Sequence, residues 1–185
     1  MNAQKSIAKK IALCALFVAF ITAGGFVRIP APLVPITLQM PFALLGGVLL
    51  GGGWGVVAVL IYIAMGVIGL PVFANGGGAA YVLQPTFGYL IGIALAAFVV
   101  GVWTKRSKTN GFWELFSVCL VGTAVVYAVG AAYCGCMLYF YWGEPTELWN
   151  LLIQCCLLPL PKDLLFAALT AFVAQKALPI LRKLI

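Results

Sequence analysis

The chain has 185 residues, of which 64% are apolar and 8% are charged, and its mean hydropathy is +1.13. A soluble domain has about 45–50% apolar and about 25% charged residues. Eleven basic and four acidic residues are too few to cover the surface of a soluble protein of this length. We therefore expect a single integral membrane domain over residues 1–185. The chain has no histidine, which excludes a histidine base and most catalytic zinc and haem sites, and we expect neither a metal site nor a cofactor.

Six apolar segments predict an all-α membrane protein with six transmembrane helices, since a spanning helix needs about 20 apolar residues. Gly51, Gly52 and Gly53 predict a tight turn between the second and third segments. A short surface helix is expected over 150–158, before the last segment. The six segments lie near 7–27, 38–52, 54–70, 85–103, 112–141 and 159–180.

Three basic clusters flank these segments, at Lys5–Lys10, Lys105–Lys108 and Arg182–Lys183. Basic flanks of membrane helices favour the cytoplasmic side, and no basic face long enough for nucleic acid exists. Six spans place all three clusters in the cytoplasm together with both termini. Three irregular loops (28–37, 69–89 and 142–163) then share the outer face. Irregular backbone at membrane depth is tolerated where it lines a cavity, so we expect a ligand pocket near that face.

Asp163, the only aspartate, stands at the start of the last apolar segment. An acid in the first turn of a helix interacts favourably with the helix dipole. An ionisable group at the membrane boundary of a cavity also marks a ligand or ion path. The residue types allow both interpretations. Lys162 is expected to pair with Asp163 or to extend toward the interface.

Aromatic residues and glycines are concentrated in the same outer loops. Gly76–Gly78 lack the lysine and hydroxyl residue of a phosphate loop, which leaves a flexible turn, a close backbone approach to a ligand, or a lid. The aromatic residues suit an interfacial belt or a ligand cage, and Tyr89 and Tyr133 are the stronger cage candidates because they lie within predicted helices.

The small residues of the first helix and the six cysteines can each be interpreted in two ways. Ala15 and Ala19 belong to a face of small residues on the first helix, which suits either packing inside the bundle or docking of another membrane protein. The six cysteines are small packing residues or, for the pairs Cys134/Cys136 and Cys155/Cys156, soft-metal or redox groups.

Four motifs, in order along nearly the whole chain, resemble the BioY family of substrate-binding subunits, the biotin S components of energy-coupling factor transporters. The motifs are Val34-Pro-Ile-Thr-Leu-Gln39, Gly66 to Gly69-Leu-Pro-Val-Phe-Ala74, Pro85-Thr-x-Gly-Tyr-Leu-Ile-Gly92 and Pro-x-Asp163-Leu-Leu. The resemblance implies a six-helix, multi-pass protein of a prokaryotic plasma membrane that captures biotin outside. It further implies a transmembrane coupling subunit and cytoplasmic ATPases as partners, with no ATP site on this chain, so the chain itself is not expected to be an enzyme.

The resemblance also implies roles for particular residues. Asp163 and Asn75 would accept hydrogen bonds from the ureido N–H groups of biotin, and Tyr89 and Gln39 would donate to its carbonyl oxygen. Tyr133 and Phe73 would form the wall around the ring, and Ala15 and Ala19 would dock the coupling subunit. Relatives often have lysine where this chain has Phe166, so the carboxylate of biotin is expected to contact Lys162 or Arg28 instead.

Three rival functions differ in what they require of the sequence. An S component for another vitamin would need only a few changed pocket residues. An intramembrane hydrolase would need a nucleophile and a base, and the chain has four acids and no histidine. A channel would need a polar stripe through several helices, which the third to fifth segments lack.

Overall fold

The computed structural model describes residues 2–31, 33–107, 111–143 and 147–184. The fold is all-helical apart from one small hairpin, in which β1 and β2 pair antiparallel with Arg28 opposite Thr37. The long helices are apolar along their length, as the composition predicts. In chain order the elements are α1 (Asn2–Phe26), β1 (Arg28–Ile29), β2 (Ile36–Thr37), α2 (Gln39–Val67), α3 (Phe87–Arg106), α4 (Phe112–Phe140), α5 (Leu148–Leu152) and α6 (Leu160–Leu184).

Five helical stretches of the described chain are long and apolar enough to cross a membrane. They are Ser6–Phe26, Gln39–Val67, Phe87–Arg106, Phe112–Phe140 and Leu148–Leu181. The sequence predicted two separate helices over 38–52 and 54–70. The structure agrees with this prediction: α2 consists of two helical arms separated at Gly51, whose backbone is non-helical (φ 80°, ψ 165°).

The chain reverses direction at this interruption. A methyl group at Gly55 would lie 2.6 Å from the Cα of Gly47, although eight residues of straight helix would separate them by about 12 Å. The two arms of α2 therefore run back along each other from Gly51. Glycine suits this position because it adopts a positive φ without steric cost.

The reversal gives the bundle two ends. We call the end with 27–38 and 68–86 the loop end, and the end with Gly51 the turn end. α1 and α4 run toward the loop end, whereas α3 and α6 run from it to the turn end. α2 packs on α1, α3 and α6, and α4 packs on α3 and α6. The packing of α2 on α3 is close enough that a methyl group at Gly101 would lie 2.2 Å from the Gly52 backbone nitrogen.

A short surface helix was predicted over 150–158, before α6, and the structure is helical there. The segment comprises α5 and one π-helical turn, Ile153–Leu157. Leu151 and Cys155 are buried with Cys134 and Leu138 of α4, so this segment packs against the bundle. Cys14, Cys119, Cys134 and Cys155 are buried free thiols, in keeping with the packing interpretation, whereas Cys136 is exposed and Cys156 is half-buried.

The small residues of α1 do not pack inside the bundle. Ala8, Ala12, Ala15, Ala19 and Ala23 are exposed, whereas the buried side chains of α1 are Cys14, Phe17, Val18 and Ile21. Of the two interpretations of this face, the structure therefore contradicts internal packing. The alanine face is open to lipid or to another protein.

Candidate ligand-binding site

A cavity lies at the loop end, between the chain leading into α2, the starts of α3 and α6, and the middle of α4. The empty space of the cavity, together with the solvent space at its open mouth, is about 580 Å³. Its apolar wall includes Val34, Met40, Leu90, Ile93 and Val126. Its polar side chains are Thr37, Gln39, Tyr81, Thr86, Tyr89, Tyr127, Lys162 and Asp163.

Asp163 is the buried acid of this cavity, with 3% of the residue exposed. Its Oδ2 accepts a hydrogen bond of 2.6 Å from the Tyr127 hydroxyl. Its Oδ1 lies 2.6 Å from Lys162 Nζ, an ion pair by distance, but that contact lacks the alignment of a hydrogen bond, so Oδ1 accepts none. Buried carboxylate oxygens are normally satisfied. Asp163 therefore presents an acceptor that a ligand N–H group can use.

Lys162 bridges the start of α6 and the hairpin. Its ammonium donates to the Thr37 carbonyl oxygen at 2.7 Å in addition to pairing with Asp163. An ammonium has three N–H donors, so capacity remains for a ligand acceptor. The opposite charges of Lys162 and Asp163 leave the polar wall without net formal charge, which is less costly to bury than a single charge.

Gln39 is held in place by a chain of hydrogen bonds at the first turn of α2. Its Nε2 donates to the Tyr62 hydroxyl at 2.8 Å, and that hydroxyl donates to the Val72 carbonyl oxygen at 3.1 Å. All three residues are buried. The chain fixes the side chain of Gln39 at the cavity and ties the loop after α2 to both arms of that helix.

Tyr81 and Thr86 line the cavity from the segment between α2 and α3. Their hydroxyl oxygens are 3.5 Å apart, which is long for an O–H···O hydrogen bond. Both hydroxyls are therefore available to a ligand. The Tyr81 ring packs at 4.5 Å, between ring centroids, on Phe73, which backs it from the protein side.

Tyr89 lines the cavity with its ring and anchors the segment before α6 with its hydroxyl. The hydroxyl donates to the Cys155 carbonyl oxygen at 2.9 Å. The ring lies close to Gly130 of α4, where a methyl group would approach it to 2.7 Å. The hydroxyl hydrogen of Tyr89 is already donated to Cys155. Tyr89 therefore suits the wall of the cavity better than the hydrogen bond to a ligand that the sequence predicted.

Four of the residues expected at the site do not line the cavity: Phe73, Asn75, Tyr133 and Arg28. Phe73 is 2% exposed and points at Gly66 of α2, where a methyl group would lie 2.0 Å from the ring. Asn75 is exposed, and its Oδ1 accepts from Arg28 Nη1 at 2.9 Å. Arg28 Nη1 also donates to the Ala74 carbonyl oxygen, so the pair joins the hairpin to the loop after α2.

Tyr133 supports the start of α3 instead of forming the wall of the cavity. Its hydroxyl donates to the Val82 carbonyl oxygen at 2.5 Å. A methyl group at Gly88 would lie 2.2 Å from its Cβ. Gln39, Tyr89, Lys162 and Asp163 are the predicted site residues that the structure brings together.

Tyr127 is the site residue that the sequence reasoning missed most clearly. A tyrosine in the middle of an apolar helix needs a partner for its hydroxyl group, and Asp163 is the only aspartate of the chain. The sequence shows both of these residues. It does not reveal which helices face each other, so it could only suggest the pairing. Thr37 and Thr86 were missed for the same reason.

Phe166 belongs to a different surface. It lines an apolar groove between the first arm of α2 and α6, with Leu38, Pro41 and Phe42. Phe166 does not line the cavity in this structure, whereas Lys162 does.

The model of the BioY family matches residues 1–183 of the chain. The chain belongs to the BioY family. Family membership accounts for the order of the four sequence motifs, and three of those motifs supply Gln39, Tyr89 and Asp163 to one cavity. The chain is therefore related to transporter proteins and not to an enzyme family.

Individual relatives agree with the family assignment. A probable biotin transporter BioY of Lysinibacillus sphaericus is 47% identical over 123 residues, which cover 66% of this chain and 63% of that protein. The biotin transporter BioY of Thermotoga maritima is 42% identical over 62% of this chain and 68% of its own length. A crystal structure of the S component for biotin from an ECF-type ABC transporter is 34% identical, with a TM-score of 0.79 over 95% of this chain and 93% of that one.

Proposed function

We propose that this chain is the biotin-binding S component of an energy-coupling factor uptake transporter. The observation that carries the proposal is the cavity beside Asp163, found in a chain that matches the BioY family over residues 1–183. The relatives are named biotin transporters, and the matched crystal structure is a biotin S component.

The chemistry of biotin fits the donors and acceptors of the cavity. Biotin has two ureido N–H groups, a ureido carbonyl, an apolar thioether ring and a carboxylate. Asp163 Oδ1 accepts from one N–H group, and the Gln39 amide oxygen is a candidate acceptor for the second. The hydroxyl groups of Tyr81 and Thr86 donate to the ureido carbonyl. Apolar side chains such as Leu90 and Val126 pack against the ring.

Lys162 takes the cationic role that Phe166 does not fill. One N–H donor of its ammonium binds the Thr37 carbonyl oxygen and its charge pairs with Asp163, which leaves N–H donors for the biotin carboxylate. A buried site that pairs every polar group of its ligand discriminates strongly against analogues that lack one. The ureido N–H groups, the ureido oxygen and the carboxylate are therefore the groups by which this chain selects biotin.

The membrane arrangement is part of the same proposal. The reversal at Gly51 makes α2 two spans, so residues 1–185 form one domain with six crossings. Both termini and the turn end then face the cytoplasm, since Lys105 and Arg106 lie there, and the cavity faces outward. A cysteine at position 107 should react with impermeant maleimide only after the cells are opened, and one at 147 in intact cells. The reverse pattern would contradict this orientation.

The coupling subunit docks on the alanine face of α1 around Ala15 and Ala19, because small residues let a second helix approach closely in lipid. The energy for uptake comes from ATPases that the coupling subunit recruits, in the plasma membrane of a prokaryote. Binding and uptake are therefore separable, with the cavity and the docking face on different surfaces.

Retention of radiolabelled biotin by the purified chain in detergent tests the proposal. Biotin should be retained without any other subunit, and unlabelled biotin should displace it, whereas thiamine, riboflavin and folate should not. Retention of another vitamin in place of biotin, or of none, would contradict it.

A further inference from the structure

The turn end of the bundle contains a second large opening, which none of the proposed transport roles uses. It is bordered by the glycine turn of α2, the end of α3, the start of α1 and the end of α6. Together with the solvent space at its open mouth it measures about 1750 Å³. We call it the basic cleft, defined by Lys10, Gly51–Gly53, Lys105, Arg106 and Leu178. Asp163 and Leu178 are 15 residues apart on α6, so the basic cleft lies about 22 Å from the ligand cavity.

The charge of the basic cleft has one sign. Lys10, Lys105 and Arg106 line it, and no aspartate or glutamate of the described residues does. The described part of the chain gives these three cations no ion-pair partner. Glu114, the acid that begins α4, binds the Ser107 hydroxyl instead. Three cations that line one opening, without a counterion among the described residues, favour an anionic ligand.

The backbone adds to this preference. The second arm of α2 starts after Gly51, and the first N–H groups of a helix lack intrahelical acceptors and carry the positive end of its dipole. Gly53 is exposed at the basic cleft with open space beside it. A phosphate group suits this combination of side-chain cations and helix N-terminus.

The apolar part of the basic cleft distinguishes a lipid from free phosphate. Leu49, Leu178 and Leu181 line it next to the cations. The cleft also opens where membrane-capable helices end, since α3 ends at Arg106. Basic pockets between transmembrane helices on the cytoplasmic side bind the headgroups of anionic lipids. We propose that the basic cleft binds the phosphate of an anionic membrane phospholipid, with the leucines against its glycerol and acyl region.

Native mass spectrometry of the purified chain in a mild detergent tests this proposal with defined probes. Dioleoyl phosphatidylglycerol should be retained in preference to dioleoyl phosphatidylcholine at equal concentration, and retention should fall as salt is raised. Inorganic phosphate at the same concentration should be retained far less than the anionic lipid. Equal retention of the two lipids, or retention of phosphate without a lipid preference, would overturn the proposal.

A charge-removing variant and a matched control locate the site. Lys105→Gln with Arg106→Gln should weaken retention of phosphatidylglycerol roughly 30-fold, from about 1 kcal/mol for each cation near a membrane surface. Lys176→Gln removes a cation of α6 that does not line the cleft and should leave retention within about twofold of the parent, well inside the 1.4 kcal/mol of a tenfold change. Size-exclusion elution and helical circular dichroism check folding.

Unchanged lipid retention in the folded double variant would overturn the proposal. If such a variant also lost uptake, the three cations would instead serve a protein partner. The salt dependence of the parent protein gives an answer even if the double variant does not fold.

Discussion

Replacing Asp163 with asparagine tests whether this acid binds the ligand or only begins a helix. In the structure, Oδ2 is occupied by Tyr127, whereas Oδ1 lies beside Lys162 without a hydrogen bond. Asparagine keeps one acceptor oxygen but removes the charge and places an NH₂ donor in the site. Hydrogen bonds to charged groups contribute about 1.5–3 kcal/mol net. At 1.4 kcal/mol for each factor of ten, biotin affinity should fall roughly 10–150-fold.

Titration calorimetry on the purified variant measures this change, and a thermal melt verifies that it is folded. Glu147→Gln is the matched control, because it removes the same charge from an exposed acid outside the cavity. The control should bind biotin like the parent. If helix-dipole stabilisation is the only role of Asp163, its loss costs about 0.3–1 kcal/mol of stability. A folded Asp163→Asn protein that binds within about threefold of the parent would refute the reasoning, because threefold is under 1 kcal/mol.

Three further predictions concern other parts of the molecule. Tryptophan at both Ala15 and Ala19 should abolish biotin uptake by cells while the purified chain still binds biotin, and parallel loss of both would contradict separate surfaces. Lys162→Met should weaken binding of biotin more than binding of biotin amide in calorimetric titrations, since only biotin has the carboxylate. Equal losses of affinity for the two ligands would show that Lys162 does not bind the carboxylate. Gly101→Ala should destabilise the chain by about 1–3 kcal/mol in thermal or denaturant unfolding, because the added methyl meets backbone atoms of α2. Gly53→Ala should not destabilise the chain, because its added methyl meets open space. Equal losses of stability in the two variants would refute the close packing of α2 on α3.

The helices could be predicted from the sequence because apolar runs of membrane length leave little choice of structure. The segments at 85–103 and 112–141 correspond to α3 and α4 within three residues at either end. The glycine turn was placed correctly at Gly51, where the chain reverses. The segment before α6 was less predictable, because burial of Leu151 and Cys155 against α4 depends on tertiary contacts.

The site was predictable only as far as its position along the chain. The sequence placed the loops together at one end, and four expected residues do line the cavity there. It could not give the direction of individual side chains. Tyr133 and Tyr127 are six residues apart on α4, which turns them about 120° away from each other, and only Tyr127 faces Asp163. Phe73 lies on an expected loop, but the space left by Gly66 draws its ring into the core.

The most direct test of the central claim is an experimental structure of the chain with biotin bound. The ligand density should lie in the cavity between Gln39, Tyr127 and Asp163, with a ureido nitrogen within hydrogen-bonding distance of Asp163 Oδ1 and the carboxylate next to Lys162. Density for biotin in the groove beside Phe166, or in the basic cleft at the turn end, would contradict the account.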